Sequence, residues 1–96
     1  MKHYMGIDPG TNGGVAVIDD NGEATYSIRF SKLTETDIAR EVKDMKDSFN
    51  IVQAVLEKVH AYPGQGVSST FSFGESYGFI RACILSVGIR LVLETP

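Results

Sequence analysis

An apolar stretch opens the chain, is cut at Asp8-Pro9-Gly10, and resumes at Val15. No other feature limits the possible folds so sharply. Proline and glycine are the strongest local breakers, and Gly13-Gly14 reinforce them. Lys2 to Ile7 and Val15 to Ile18 therefore read as two strands joined by a tight turn, the second as a run buried on both faces. Asp8 sits where the first strand runs out, with bare backbone beside it. A carboxylate so placed is either an ordinary turn residue or a group held out to a metal ion or a phosphate. What the rest of the chain brings to it decides between the two.

Asn21-Gly22 between apolar runs is a strong hairpin signal. Glu23 to Phe30 then alternates as a third strand, with Ala24, Tyr26, Ile28 and Phe30 on one face. The domain thus opens as an antiparallel meander. Asp19 and Asp20 belong to the second hairpin turn, at the opposite end of the sheet from Asp8, where turn chemistry accounts for them. A helix is expected over Thr34 to Phe49. Thr34 and Asp37 stand at the capping-box offset, with Thr36 as a competing cap. Ile38, Val42, Met45 and Phe49 recur at helical period on one face.

Ile51 to Glu57 reads as a buried strand, so the chain passes strand–helix–strand, which favours a right-handed crossover to a parallel neighbour. Glu57 ends this run much as Asp8 ends the first. If the two strands are parallel neighbours, both carboxylates emerge at one sheet edge, where open α/β sheets bind ligands. A breaker-rich loop over Tyr62 to Gly66 follows. A second helix is then expected from near Ser69 to Val87, capped by Ser68 or Ser69, burying Phe73, Tyr77, Ile80, Ile84 and Val87. Gly74 and Gly78 lie four apart and would permit close approach of a neighbour, and Gly88 is a suitable stop. Ile89 to Leu93 is the last strand, before Glu94-Thr95-Pro96.

The resulting order, β-β-β-α-β-α-β, is α/β and is the topology of the ribonuclease H-like fold, with expected sheet order 3-2-1-4-5. Gly6-Ile7-Asp8-Pro9-Gly10 followed by a strand resembles the first motif of the RuvC group of Holliday junction resolvases. Val55-Leu56-Glu57-Lys58-Val59 is similar to their second motif, an apolar strand ending in a catalytic Glu. Gly64-Gln65-Gly66 leading into Ser69 to Gly78 resembles the segment after it, notably in phage-type RuvC-like proteins. The resemblance spans essentially the whole chain and implies hydrolysis of phosphodiesters in branched DNA at a two-metal site. There, clustered carboxylates hold Mg²⁺ or Mn²⁺ ions ~3.5–4 Å apart. Asp8 and Glu57 are the implied catalytic and metal-binding residues, with Asp8 touching both ions. His60, Tyr62 and Ser69 are candidates for substrate contacts, although loop anchoring, surface exposure and helix capping explain them as well.

RuvC-like enzymes carry further acids on a helix after the fifth strand, and Pro96 comes before such a helix. Glu94 does not match that helical motif, and Glu75 lies early in a packed helix where an anion suits the dipole. One ribonuclease H-like domain lacking that helix is therefore expected over 1–96. It should have an incomplete metal site, weak or absent cleavage, and exposed apolar surface that a homodimer would cover.

Composition narrows the alternatives. Ninety-six residues suffice for one core. Net charge is −3, against tight nucleic-acid binding by bulk electrostatics, though metal-binding acids themselves lower the net charge. Arg40, Lys43 and Lys46 fit a solvated helix face or, less simply, a phosphate rail. The single Cys83 cannot form an internal disulfide, suits a reducing cytoplasm, and reads as an inert buried thiol. No stretch reaches the roughly 18 apolar residues of a membrane span. Two other classes stay open: a fragment of an actin- or sugar-kinase-like nucleotide-binding fold, whose strand–Asp-x-Gly-Thr turn Asp8-Pro9-Gly10-Thr11 could match, and a non-catalytic DNA-structure-binding or assembly module.

Overall fold

Alternation in Tyr4-Met5-Gly6-Ile7-Asp8 decides which way the first strand faces. Met5 and Ile7 are buried while Tyr4 and Asp8 are exposed. The structure, a computed structural model, describes residues 1–58, 64 and 66–95. Its elements are β1 (His3–Asp8), β2 (Gly14–Asp19), β3 (Ala24–Arg29), α1 (Glu35–Ser48), β4 (Ile51–Glu57), α2 (Val67–Ser86) and β5 (Leu91–Glu94). The five strands form one mixed sheet in the order β3-β2-β1-β4-β5, as expected. β1 pairs antiparallel with β2 and parallel with β4, and β4 pairs parallel with β5.

Both crossovers step the same way across the sheet, from β3 over β2 and β1 to β4 by way of α1, and from β4 to β5 by way of α2. Right-handed connections then place both helices on one face. The core confirms it. Met5, Ile7, Val15, Val17, Ala54 and Leu56 from the strands join Ile38, Val42 and Met45 of α1 and Ile80, Cys83 and Ile84 of α2 in a single cluster. Full burial of a side chain such as Leu56 or Ile84 is worth about 2 kcal/mol. The other sheet face carries Gly6, Ala16, Ile18, Val55 and Val92, all half-buried. β2 therefore alternates, and does not bury both faces as its apolar run suggests.

Two register shifts adjust the sheet. One in β4 falls between the His3 and Tyr4 pairings and leaves Val52 exposed beside buried Ile51. The other, between Val17 and Ile18, makes Ile18 face Ala24 rather than Thr25. The Thr25 hydroxyl donates to the Val17 carbonyl at 3.2 Å.

α1 begins as its sequence dictates. Thr34 accepts from the Asp37 amide, Asp37 accepts from the Thr34 amide, and Thr36 is not the cap. α2 differs from expectation. Its N-cap is Gly66 with no side-chain cap bond, so Ser68 and Ser69 lie inside the first turn. A Cβ at Gly74 or Gly78 would meet nothing within 4 Å, so neither serves close packing here. None of the described helices is long and apolar enough to cross a membrane.

Candidate active site at the carboxyl edge

The strand register gathers the chemistry. Ile7 pairs with Leu56, and Leu56 with Leu93. One step further on, Asp8 and Glu57 end neighbouring parallel strands, and Glu57 pairs with Glu94. Adjacent strands lie about 4.8 Å apart. All three carboxylates are exposed, on the face opposite buried Ile7 and Leu56. On the other side Asp8 pairs with Gly14, and Gly14 with Arg29. The edge thus reads Arg29, Gly14, Asp8, Glu57, Glu94.

The turn after Asp8 is built to leave the carboxylate accessible. Gly10 adopts φ +112°, closed to most side chains, and its carbonyl accepts from the Gly13 amide at 3.2 Å. Gly13 in turn accepts from the Phe30 amide at 2.9 Å. A Cβ on Gly13 would collide with the Asp8 carbonyl, and one on Gly14 with the Ile28 carbonyl. These glycines let the main chain fold tightly under Asp8. Asp19, by contrast, accepts from the Asn21 and Glu23 amides at 2.9 and 3.0 Å, the turn role read for it in the sequence.

α2 holds the end of β4 and lies beside the Asp8 turn. The Tyr77 hydroxyl donates to the Glu57 main-chain carbonyl at 2.8 Å. Phe73 stacks on Tyr77 with ring centroids 6.2 Å apart and planes 9° from parallel. The Phe73 ring edge would also lie 3.8 Å from a Cβ at Gly10. The Arg81 guanidinium lies over the other end of this stack, 5.8 Å from the Tyr77 ring centre. The sequence placed Phe73 and Tyr77 in a buried stripe without disclosing this link; a hydroxyl at one end of such a stripe is the only hint.

Two hollows flank the Asp8 turn. A shallow depression of about 480 Å³ on the bare sheet face is lined by Gly6, Asp8, Asn12, Gly14, Ser27 and Arg29, among others. A cavity of about 450 Å³ on the helix side has Phe30, Ile38, Phe79 and Ile80 in its walls but includes neither Asp8 nor Glu57. Among the described residues, no three His, Cys, Asp or Glu side chains are grouped closely enough to hold a metal ion together. The donor set does fit one hydrated Mg²⁺, which takes one or two carboxylates and completes its shell with water and phosphate. It does not fit a closed all-protein cage.

Of the other candidates, Ser69 is exposed in the first turn of α2, on neither strand end. His60 and Tyr62 lie outside the described residues.

No protein-family model matches the sequence, and no curated protein does. Solved structures of RuvC match the fold. RuvC of T. thermophilus in complex with Holliday junction substrate superposes with a TM-score of 0.76 at 15% identity, over 100% of this chain and 66% of that one. A second Thermus thermophilus RuvC structure gives a TM-score of 0.66 at 17% identity, over 98% and 64%. The fold is ribonuclease H-like, of the RuvC type. This chain spans slightly less than two thirds of those RuvC chains. In this RuvC-type sheet, Asp8 and Glu57 occupy the carboxyl ends of the two central parallel strands.

Proposed function

We propose that the chain serves a divalent-metal-dependent endonuclease of the RuvC type, acting on four-way DNA junctions. The observation that carries this is the row shared by Asp8 and Glu57 at the carboxyl edge of a RuvC-type sheet. The two carboxylates hold a hydrated Mg²⁺ or Mn²⁺ ion, and the Asp8 turn leaves room for a phosphodiester beside it. When bound, such an ion polarises the phosphoryl oxygen and lowers the pKa of water. With two donors and Glu94 alongside, this chain binds metal weakly and cleaves slowly on its own.

The same reading includes a homodimer. Val67, Phe71 and Leu85 project from α2 at 88, 67 and 54% exposure, with open Gly74 and Gly78 between them. Spacings of three and four residues put Val67, Phe71, Gly74 and Gly78 on one stripe, suited to a second helix. Sedimentation that returns a monomer at high concentration counts against this part.

Isothermal titration with Mg²⁺ and Mn²⁺ tests the metal site. Binding lost on Asp8→Asn and reduced on Glu57→Gln is the expected result; no binding by the unaltered chain rejects it. A non-catalytic junction-binding module is the second reading, favoured by the lack of a third grouped donor among the described residues. Junction binding that survives both substitutions, without metal uptake by the unaltered chain, selects it.

A further inference from the structure

We infer that Arg29, with the depression separating it from Asp8, binds a backbone phosphodiester of the DNA. This rests on the nuclease reading above and adds to it a residue that no motif marked. Ile28 pairs with Val15 on the core side, so Arg29 and Ser27 face the bare side of the sheet, the side of Asp8. Arg29 is exposed and is the sole Lys or Arg among the residues lining the depression. Gly14 lies between it and Asp8 in the row, so no side chain fills the gap. Two strand spacings separate Arg29 from Asp8, roughly 10 Å. That leaves space for a phosphate between the guanidinium and the carboxylate edge.

Shape and chemistry select the ligand class. Small-molecule pockets are concave and enclose most of their occupant. This depression is shallow, and Asp8, Asn12, Ser27 and Arg29 are polar groups around it. A polymer can cross such a surface, with one phosphate resting on the bare backbone at Gly14. The guanidinium fork matches two phosphate oxygens, and the Asn12 amide and Ser27 hydroxyl supply further donors. Asp8 disfavours an anion at its own end unless a cation sits there. The site therefore takes phosphate at the Arg29 end and metal at the Asp8 end.

Fluorescence anisotropy with a synthetic four-way junction in Ca²⁺, over a series of KCl concentrations, tests the assignment. Arg29→Ala should weaken binding several-fold, equally for junctions of different sequence. It should also flatten the slope of log K against log salt by about 0.9, the value of one duplex phosphate contact. Arg29→Lys should restore the slope but only part of the affinity, and Arg40→Ala, on α1, should change neither. Mg²⁺ titration of Arg29→Ala should match the unaltered chain, separating phosphate binding from damage to the carboxylates. Arg29→Ala with unchanged affinity and slope overturns the inference and leaves the nuclease reading standing. Failure of the unaltered chain to bind the junction at any salt overturns both.

Discussion

The Tyr77 hydroxyl donates to the Glu57 main-chain carbonyl, fixing the end of β4 to a helix whose Phe73 ring lies beside Gly10 of the Asp8 turn. Tyr77→Phe keeps the ring stack and deletes that bond. A loss of about 1 kcal/mol in urea unfolding is expected. Mg²⁺ affinity should fall as well, by more than for an equally destabilising substitution elsewhere, such as Thr34→Ala. Equal affinities in the two variants mean that the sheet alone positions Glu57.

Gly13→Ala forces a methyl group onto the main-chain carbonyls of Asp8 and Pro9, neither of them a flexible side-chain end. Overpacking of this kind costs roughly 1–3 kcal/mol. A clear drop in melting temperature is expected, with weakened metal binding in whatever fraction stays folded.

Gly74→Ala and Gly78→Ala should act in the opposite direction. Both positions are helical and open, so each exchange should stabilise the monomer by up to about 1 kcal/mol. If a second α2 packs across them, the same methyl groups weaken self-association. Chemical denaturation at low concentration and sedimentation at high concentration separate the two effects.

At the start of α1, hydrogen bonds from the Thr34 amide and hydroxyl hold the Asp37 carboxyl below its ordinary value of 3.8. A carboxyl depressed in the folded state contributes stability above its unfolded pKa and loses it as pH falls through the folded one. The stability gap between the unaltered chain and Asp37→Ala should therefore be constant near neutrality and close below about pH 4. Urea midpoints across that range measure it. Removing the cap itself, by Thr34→Ala, should cost about 1 kcal/mol at neutral pH.

Cys83 is buried between the helices and the sheet, and burial pushes its thiol pKa up. Native protein should react negligibly with a thiol reagent such as 5,5′-dithiobis(2-nitrobenzoic acid), and modification should rise along the urea unfolding curve. Fast labelling of the folded chain contradicts this packing.

Sequence alone disclosed the parts governed by short-range rules. Breakers at Asp8-Pro9-Gly10 and Asn21-Gly22 set the meander, the Thr34–Asp37 box started α1, and parallel pairing of β1 with β4 brought Asp8 beside Glu57. Other features depend on register or tertiary packing, which periodicity does not encode. Arg29 joins the Asp8 row only once two pairings are known, and it stands 21 positions away in the chain. Ser68 and Ser69 have good capping chemistry, yet α2 starts earlier, at Val67. Gly74 and Gly78 suggested close packing, but both lie on the outward side of α2.

The shift that sets Ala24 against Ile18 changes what β3 can offer to an added strand. β3 is an outer strand of the sheet, and an outer strand with free backbone groups is a template for fibre-like growth. An irregularity of this kind twists and bends a strand, so an added strand cannot keep straight pairing along it. Arg29 at one end adds charge to that border. Strand-to-strand addition is therefore disfavoured along β3.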